Sequence, residues 1–128
     1  MSKRTQRLVD TRRKQRDEAA QVVAERKRQL EALRAAKLRL QVSCKEELEA
    51  TVGRGGVSAT RLELLHMARR AAQVAESRGE EALASAKDQA MACEVRLRQV
   101  EILRDRQAEK RRNEERRKER RAGTRHAQ

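Results

Sequence analysis

The chain contains no Phe, Tyr, Trp or Pro in 128 residues, while charged residues make up 41% of it. Aromatic side chains carry much of the buried area of compact cores, and Pro punctuates turns. Without either, a chain has little from which to build a globule and little to interrupt a long helix. Compositions rich in Ala, Glu, Lys, Leu and Arg read as long helices or coiled coils.

The length allows one domain at most. Apolar residues reach 37%, but many are Ala, so a sizeable three-dimensional core is out of reach. A seam between two helices needs far less. No stretch approaches the roughly 20 apolar residues of a membrane span. Met1 to Arg4 leads into more charge rather than an apolar region, so no secretory signal is expected and a cytoplasmic location is. Cys44 and Cys93 form no ligand cluster and no disulfide framework. Both sit at core-like spacing and read as small apolar residues.

One place reads as a turn, Thr51 to Ser58, where Gly53, Gly55 and Gly56 permit the positive φ angles that end a helix. Ser58 and Thr60 are candidate N-caps, and Thr60-Arg61-Leu62-Glu63 has capping-box spacing. Gly79 stands alone inside a helical pattern, at a cost of about 1 kcal/mol relative to Ala; it marks either a close helix–helix approach or a soft point. The expected organisation is a single helical hairpin over 1–122, with helix one over 3–51, a turn at 52–58 and helix two over 59–122. A disordered tail, beginning at Gly123, is expected over 123–128.

Helix two has the clearer period. Alternate steps of three and four from Leu62 reach Leu65, Arg69, Ala72, Glu76, Gly79, Leu83, Ala86, Ala90, Cys93, Leu97, Val100, Arg104 and Gln107. Every position from Leu83 to Val100 is apolar, the a/d signature of a coiled coil. In helix one, Leu8, Ala19, Val22, Leu30, Leu33, Leu40, Cys44 and Leu48 follow a looser rhythm, with polar intrusions at Gln15 and Arg26. The fold class is therefore all-α, two long helices forming an antiparallel coiled-coil hairpin with an overhanging basic C-terminal helix. Folding at Gly55 sets Leu40 near Arg70, Val22 near Asp88 and Leu8 near Ile102, with arms of roughly 70–80 Å. Cys44 and Cys93 then lie roughly 40 Å apart, beyond the reach of a disulfide.

The net charge of +13 is unevenly spread. Residues 1–28 carry ten basic against four acidic residues, residues 104–128 eleven against five, and the stretch between them twelve against eleven. Beyond about residue 108, helix two has no facing partner. Glu109 to Arg121 has no apolar stripe, and its helicity is expected to firm when something binds. A hairpin joins both basic ends into one cationic surface, which steers acidic partners toward it.

No catalytic constellation is visible, and no enzyme activity, cofactor or small-molecule substrate is expected. His66 reads as a flank residue, and His126 lies in the tail. Ser43-Cys44-Lys45 has no activating partner, and Gly53-Arg54-Gly55-Gly56 lacks the Lys and Ser/Thr of a phosphate loop. Two other binding classes fit the composition: a generic coiled-coil scaffold or adaptor, and a basic helical nucleic-acid-binding protein. Against nucleic acid stand the missing aromatics on which bases stack and the interleaved Glu.

Arg7-Leu8-Val9-Asp10-Thr11-Arg12-Arg13 through Gln29-Leu30-Glu31-Ala32-Leu33 resembles the opening helix of the FliJ/YscO family. Gly56-Val57-Ser58-Ala59 with Leu62 resembles its entry into helix two, and Arg96 to Arg106 with the Glu/Arg-rich run resembles its closing segment. The chain departs from the family in having no aromatic on the hairpin. The resemblance implies a central stalk of a flagellar or type III secretion export apparatus, peripheral to the inner membrane. Such a stalk enters a hexameric export ATPase, links it to a membrane export gate protein and handles export chaperones. It makes Arg12, Arg13, Arg16, Arg111, Arg112, Arg116 and Arg117 the ATPase-binding candidates. Leu33, Leu40, Leu62, Leu65 and Met67, nearer the turn, become the gate-binding candidates.

Overall fold

The computed structural model describes residues 2–52 and 59–127, with side chains described as far as Thr124. Two helices pack against each other: α1, Lys3–Val52, and α2, Ala59–Ala127. Long straight-chain residues and Ala lose little on entering a helix, and no Pro breaks the run. Ser2 starts α1 by accepting a hydrogen bond from the Arg4 backbone N–H at 3.2 Å, which satisfies one of the donors a helix start leaves open. Val52, expected in the turn, is the last residue of α1; 53–58, and with them Ser58, lie outside the described residues. Thr60 is already inside α2 and is not its cap.

Nor does Gly123 stop the helix. α2 continues through it to Ala127, in place of the expected tail. A helical glycine costs only about 1 kcal/mol, and Thr124 Oγ1 donates back to the Arg120 carbonyl at 2.8 Å.

The chain forms two compact units, Met1–Ala19 with Gln89–Gln128 (unit 1) and Ala20–Asp88 (unit 2). In unit 1, Val9 is 0% and Leu97 2% exposed. Burying such side chains contributes roughly 1.5–3 kcal/mol each. Thr5, also buried, donates from Oγ1 to Gln107 Oε1 at 3.0 Å, tying the start of α1 to α2 across 102 residues of sequence. Arg16 Nε lies 3.9 Å from Glu94 Oε1.

In unit 2, Leu30, Cys44 and Ala86 are buried. The cross-helix contacts are polar at the edges: Lys37 Nζ bonds Gln73 Oε1 and Glu76 Oε2, each at 2.7 Å. Arg61 pairs with Glu47. Gly79 belongs to a close approach rather than a soft point, since a Cβ there would lie 3.0 Å from Leu33 Cδ1 and 3.2 Å from Leu30 Cδ1. Both cysteines are free; Cys44 is buried and Cys93 half-buried.

On α2 the expected spacing holds from Ala72 through Gln107, every position being buried or half-buried. Near its start it does not: Leu62 and Arg69 are exposed, and the smaller Ala68 turns inward in place of the charged Arg69. In the first half of α1 the phase is one residue off. Leu8 is 40% and Val22 39% exposed, while Val9 and Val23 face inward along the row Thr5, Val9, Arg12, Arg16, Ala19, Val23. Gln15 is accordingly exposed and intrudes on nothing.

Candidate functional site

The seven arginines expected to meet the ATPase divide into two kinds. Arg13, Arg111, Arg112, Arg116 and Arg117 are exposed. Arg12 and Arg16 instead occupy the packed row of α1, because a guanidinium on a long stem can line a seam with its methylenes and send its head to the edge. Arg12 Nη1 donates to Gln15 Oε1 at 3.0 Å, while its Nε is buried without a hydrogen-bond partner among the described residues. Arg16 Nη2 lies 3.1 Å from Asp17 Oδ1. These two side chains are committed within unit 1 and do not form part of an open cationic face.

That face is supplied by α2. Every residue from Glu109 to Thr124 is exposed, and this stretch carries eight basic against four acidic residues. Among the described residues, none of its side chains makes a cross-helix ion pair within 4.0 Å. Pairs at i and i+4 add only a few tenths of a kcal/mol, so the surplus positive charge is free to act outward. The beginning of α1 adds the exposed Lys3, Arg4, Arg7, Arg13 and Lys14 to the same unit. Unit 1 as a whole holds 20 basic and 10 acidic residues, +10 of the chain's +13.

The five gate-binding candidates all fall in unit 2. Leu33, Leu40 and Leu65 are half-buried between the helices, whereas Leu62 and Met67 are exposed. Met67 is 62% exposed. It shares a face of α2 with exposed Leu64 and Val74, at spacings of three and seven, which keep side chains on one side of a helix. Leu64 and Val74 were not among the sequence candidates, although the same spacing signal marks them. Exposed Leu38 and Val42, at i and i+4 on α1, were also missed.

Beside these residues runs a groove of about 720 Å³ between α1 and α2, with Leu40, Leu48 and Ala72 along its floor. Lys45, His66, Arg69 and Arg70 line it too; the sequence places Arg69 on the seam row and marks none of the cations Lys45, Arg69 and Arg70 as a binding residue. Among the described residues, Lys45, Arg69 and Arg70 have no carboxylate within 4.0 Å. Lys37, at the groove's other end, is engaged by Glu76.

Glu76 sits at a seam position between Lys37 and Arg34, whose Nε is 3.5 Å from Glu76 Oε1. Arg34 also reaches Glu80 at 3.3 Å. The Lys37 hydrogen bond, with the charges of Lys37 and Arg34, holds the Glu76 carboxyl below its ordinary value of 4.5, against a smaller opposing effect of burial. An ion pair inside a seam fixes which residues face each other more than it adds stability.

Among the described residues, no group of three His, Cys, Asp or Glu could hold a metal ion. No described helix is long and apolar enough to cross a membrane. The chain matches no family model, no curated protein and no solved structure.

Proposed function

We propose that α1 and α2 form an antiparallel coiled-coil hairpin that acts as the central stalk of a flagellar or type III secretion export apparatus. In this reading it binds and regulates a hexameric export ATPase, links it to the membrane export gate, works at the inner membrane's cytoplasmic side and carries no enzyme activity of its own. The hairpin reading is supported by the order of the cross-helix pairs. In unit 2, Lys37 meets Gln73 and Glu47 meets Arg61, so α2 numbers fall as α1 numbers rise. In unit 1, Thr5 meets Gln107 and Arg16 meets Glu94, again falling as α1 rises.

The observation that carries the functional reading is the exposed cationic helix from Glu109 to Thr124. A ring of identical subunits needs an asymmetric charged rod in its pore, not a pocket. Fixed surface charge of one sign steers such an encounter and is sensitive to salt. The ATPase-facing set is accordingly Arg13, Arg111, Arg112, Arg116 and Arg117, the candidates that are exposed. Gate contact falls to the apolar surface of unit 2, with export chaperones as further partners of the exposed stripes.

The test is stimulation of ATP hydrolysis by the purified export ATPase. Replacing Arg111, Arg112, Arg116 and Arg117 by Glu abolishes stimulation while leaving circular-dichroism helicity intact. Undiminished stimulation by that variant contradicts the assignment.

A further inference from the structure

The groove of unit 2 combines two features that no single simple ligand satisfies. Its floor is apolar, made by Leu40, Leu48 and Ala72, and its rim carries Lys45, Arg69 and Arg70. None of those three cations is neutralised by a described carboxylate within 4.0 Å. Among the described residues, Glu49 is the one acidic residue lining it. Along α1 the lining runs from Lys37 to Glu49, about 18 Å or roughly 12 residues of helix. A furrow between two packed helices is the shape into which a third helix lays its apolar face.

We propose that this groove docks an acidic amphipathic helix of a partner protein, about three turns long. Leucine-like side chains at i, i+3 and i+7 rest on Leu40, Leu48 and Ala72, while flanking carboxylates reach Lys45, Arg69 and Arg70. Charge chooses this occupant over two others. A second copy of this chain brings a further +13 toward a cationic rim. A nucleic acid gains nothing from an aliphatic floor and finds no aromatic ring on which to stack a base. The inference rests on the groove's own chemistry and needs neither the ATPase nor the gate reading.

The experiment is fluorescence anisotropy of the full chain with a labelled synthetic helix of about 14 residues. The helix carries leucines at i, i+3, i+7 and i+10 and glutamates on both flanks. Binding with a Kd of about 1–100 μM is expected, weakened at least tenfold by Lys45→Glu, Arg69→Glu and Arg70→Glu together at unchanged helicity. If those reversals unfold the unit, Lys45→Gln, Arg69→Gln and Arg70→Gln make the same reading with a smaller loss. The proposal is overturned by no binding up to about 1 mM, or by equal binding of a lysine-flanked version of the peptide. It is equally overturned if a labelled single-stranded RNA binds with the same dependence on the three cations, or if light scattering shows a dimer that the triple variant dissolves.

Discussion

Unit 1 carries +10 and unit 2 only +3, although they are built from the same two helices and the same residue types. The difference lies in what each does with charge at the packed face. Unit 2 pairs it: Lys37, Glu76, Arg34 and Glu80 form a connected cluster across the helices. Unit 1 tolerates arginine stems at Arg12, Arg16 and Arg104 and leaves most of its surplus facing outward. Two packed helices can thus use charge to fix register in one stretch and leave it facing solvent in another. The stretch with the stronger field has only Thr5, Val9 and Leu97 buried among its described residues.

The largest test of that contrast is Leu97→Ala. Unit 1 has few large buried side chains, so the loss is about 2–3 kcal/mol, as for other buried leucines, read by urea denaturation. A loss below about 0.5 kcal/mol, the range of surface changes, means that Leu97 faces water and that unit 1 holds together otherwise.

Next comes pH. Because the folded Glu76 carboxyl lies below its ordinary value of 4.5, its contribution is complete above that value and is lost as pH falls through the depressed folded one. The thermal midpoint should therefore drop on acidification below about pH 4.5, and Glu76→Gln should shrink that drop. An identical acid profile in the variant removes Glu76 from the account of unit 2.

The two glycines give smaller effects of opposite origin. At Gly79, the ~1 kcal/mol gained in helix propensity is offset by displacement of the Leu33 and Leu30 methyl groups, so Gly79→Ala should leave stability nearly unchanged. Gly79→Leu, which cannot be absorbed by a methyl shift, should destabilise unit 2 by about 1–3 kcal/mol. At Gly123 a Cβ meets nothing within 4 Å. Gly123→Ala should raise helicity slightly without moving the midpoint of the main transition.

Much of the seam was readable from the residues, and the failures have a physical pattern. On α2 from Leu83 to Val100 every third or fourth residue is apolar, so only one phase fits. In the first half of α1 two adjacent apolar pairs, Leu8-Val9 and Val22-Val23, allow either phase. The expected row takes Leu8 and Val22 and accepts Gln15 and Arg26 as polar intrusions. Strict alternation of three and four counted backward from Leu30 passes Arg26, which is exposed, and then gives Val23, Ala19, Arg16, Arg12, Val9 and Thr5, the row that is packed. The packed row is hard to pick out because two of its members, Arg12 and Arg16, are charged and line the seam only with their stems. The groove cations Lys45, Arg69 and Arg70 could not be found this way, because their proximity depends on both helices at once.

The central claim is that α1's beginning and the latter part of α2 lie side by side, gathering both basic ends into one surface. Spin labels at the exposed positions Leu8 and Leu103 test it most directly, since Val9 is buried and a label there would disturb the packing. Helices in contact are about 8–10 Å apart, so with label arms the account gives a sharp distance near 20–30 Å. A single continuous helix would put these positions roughly 140 Å apart, and the absence of any short distance would contradict it.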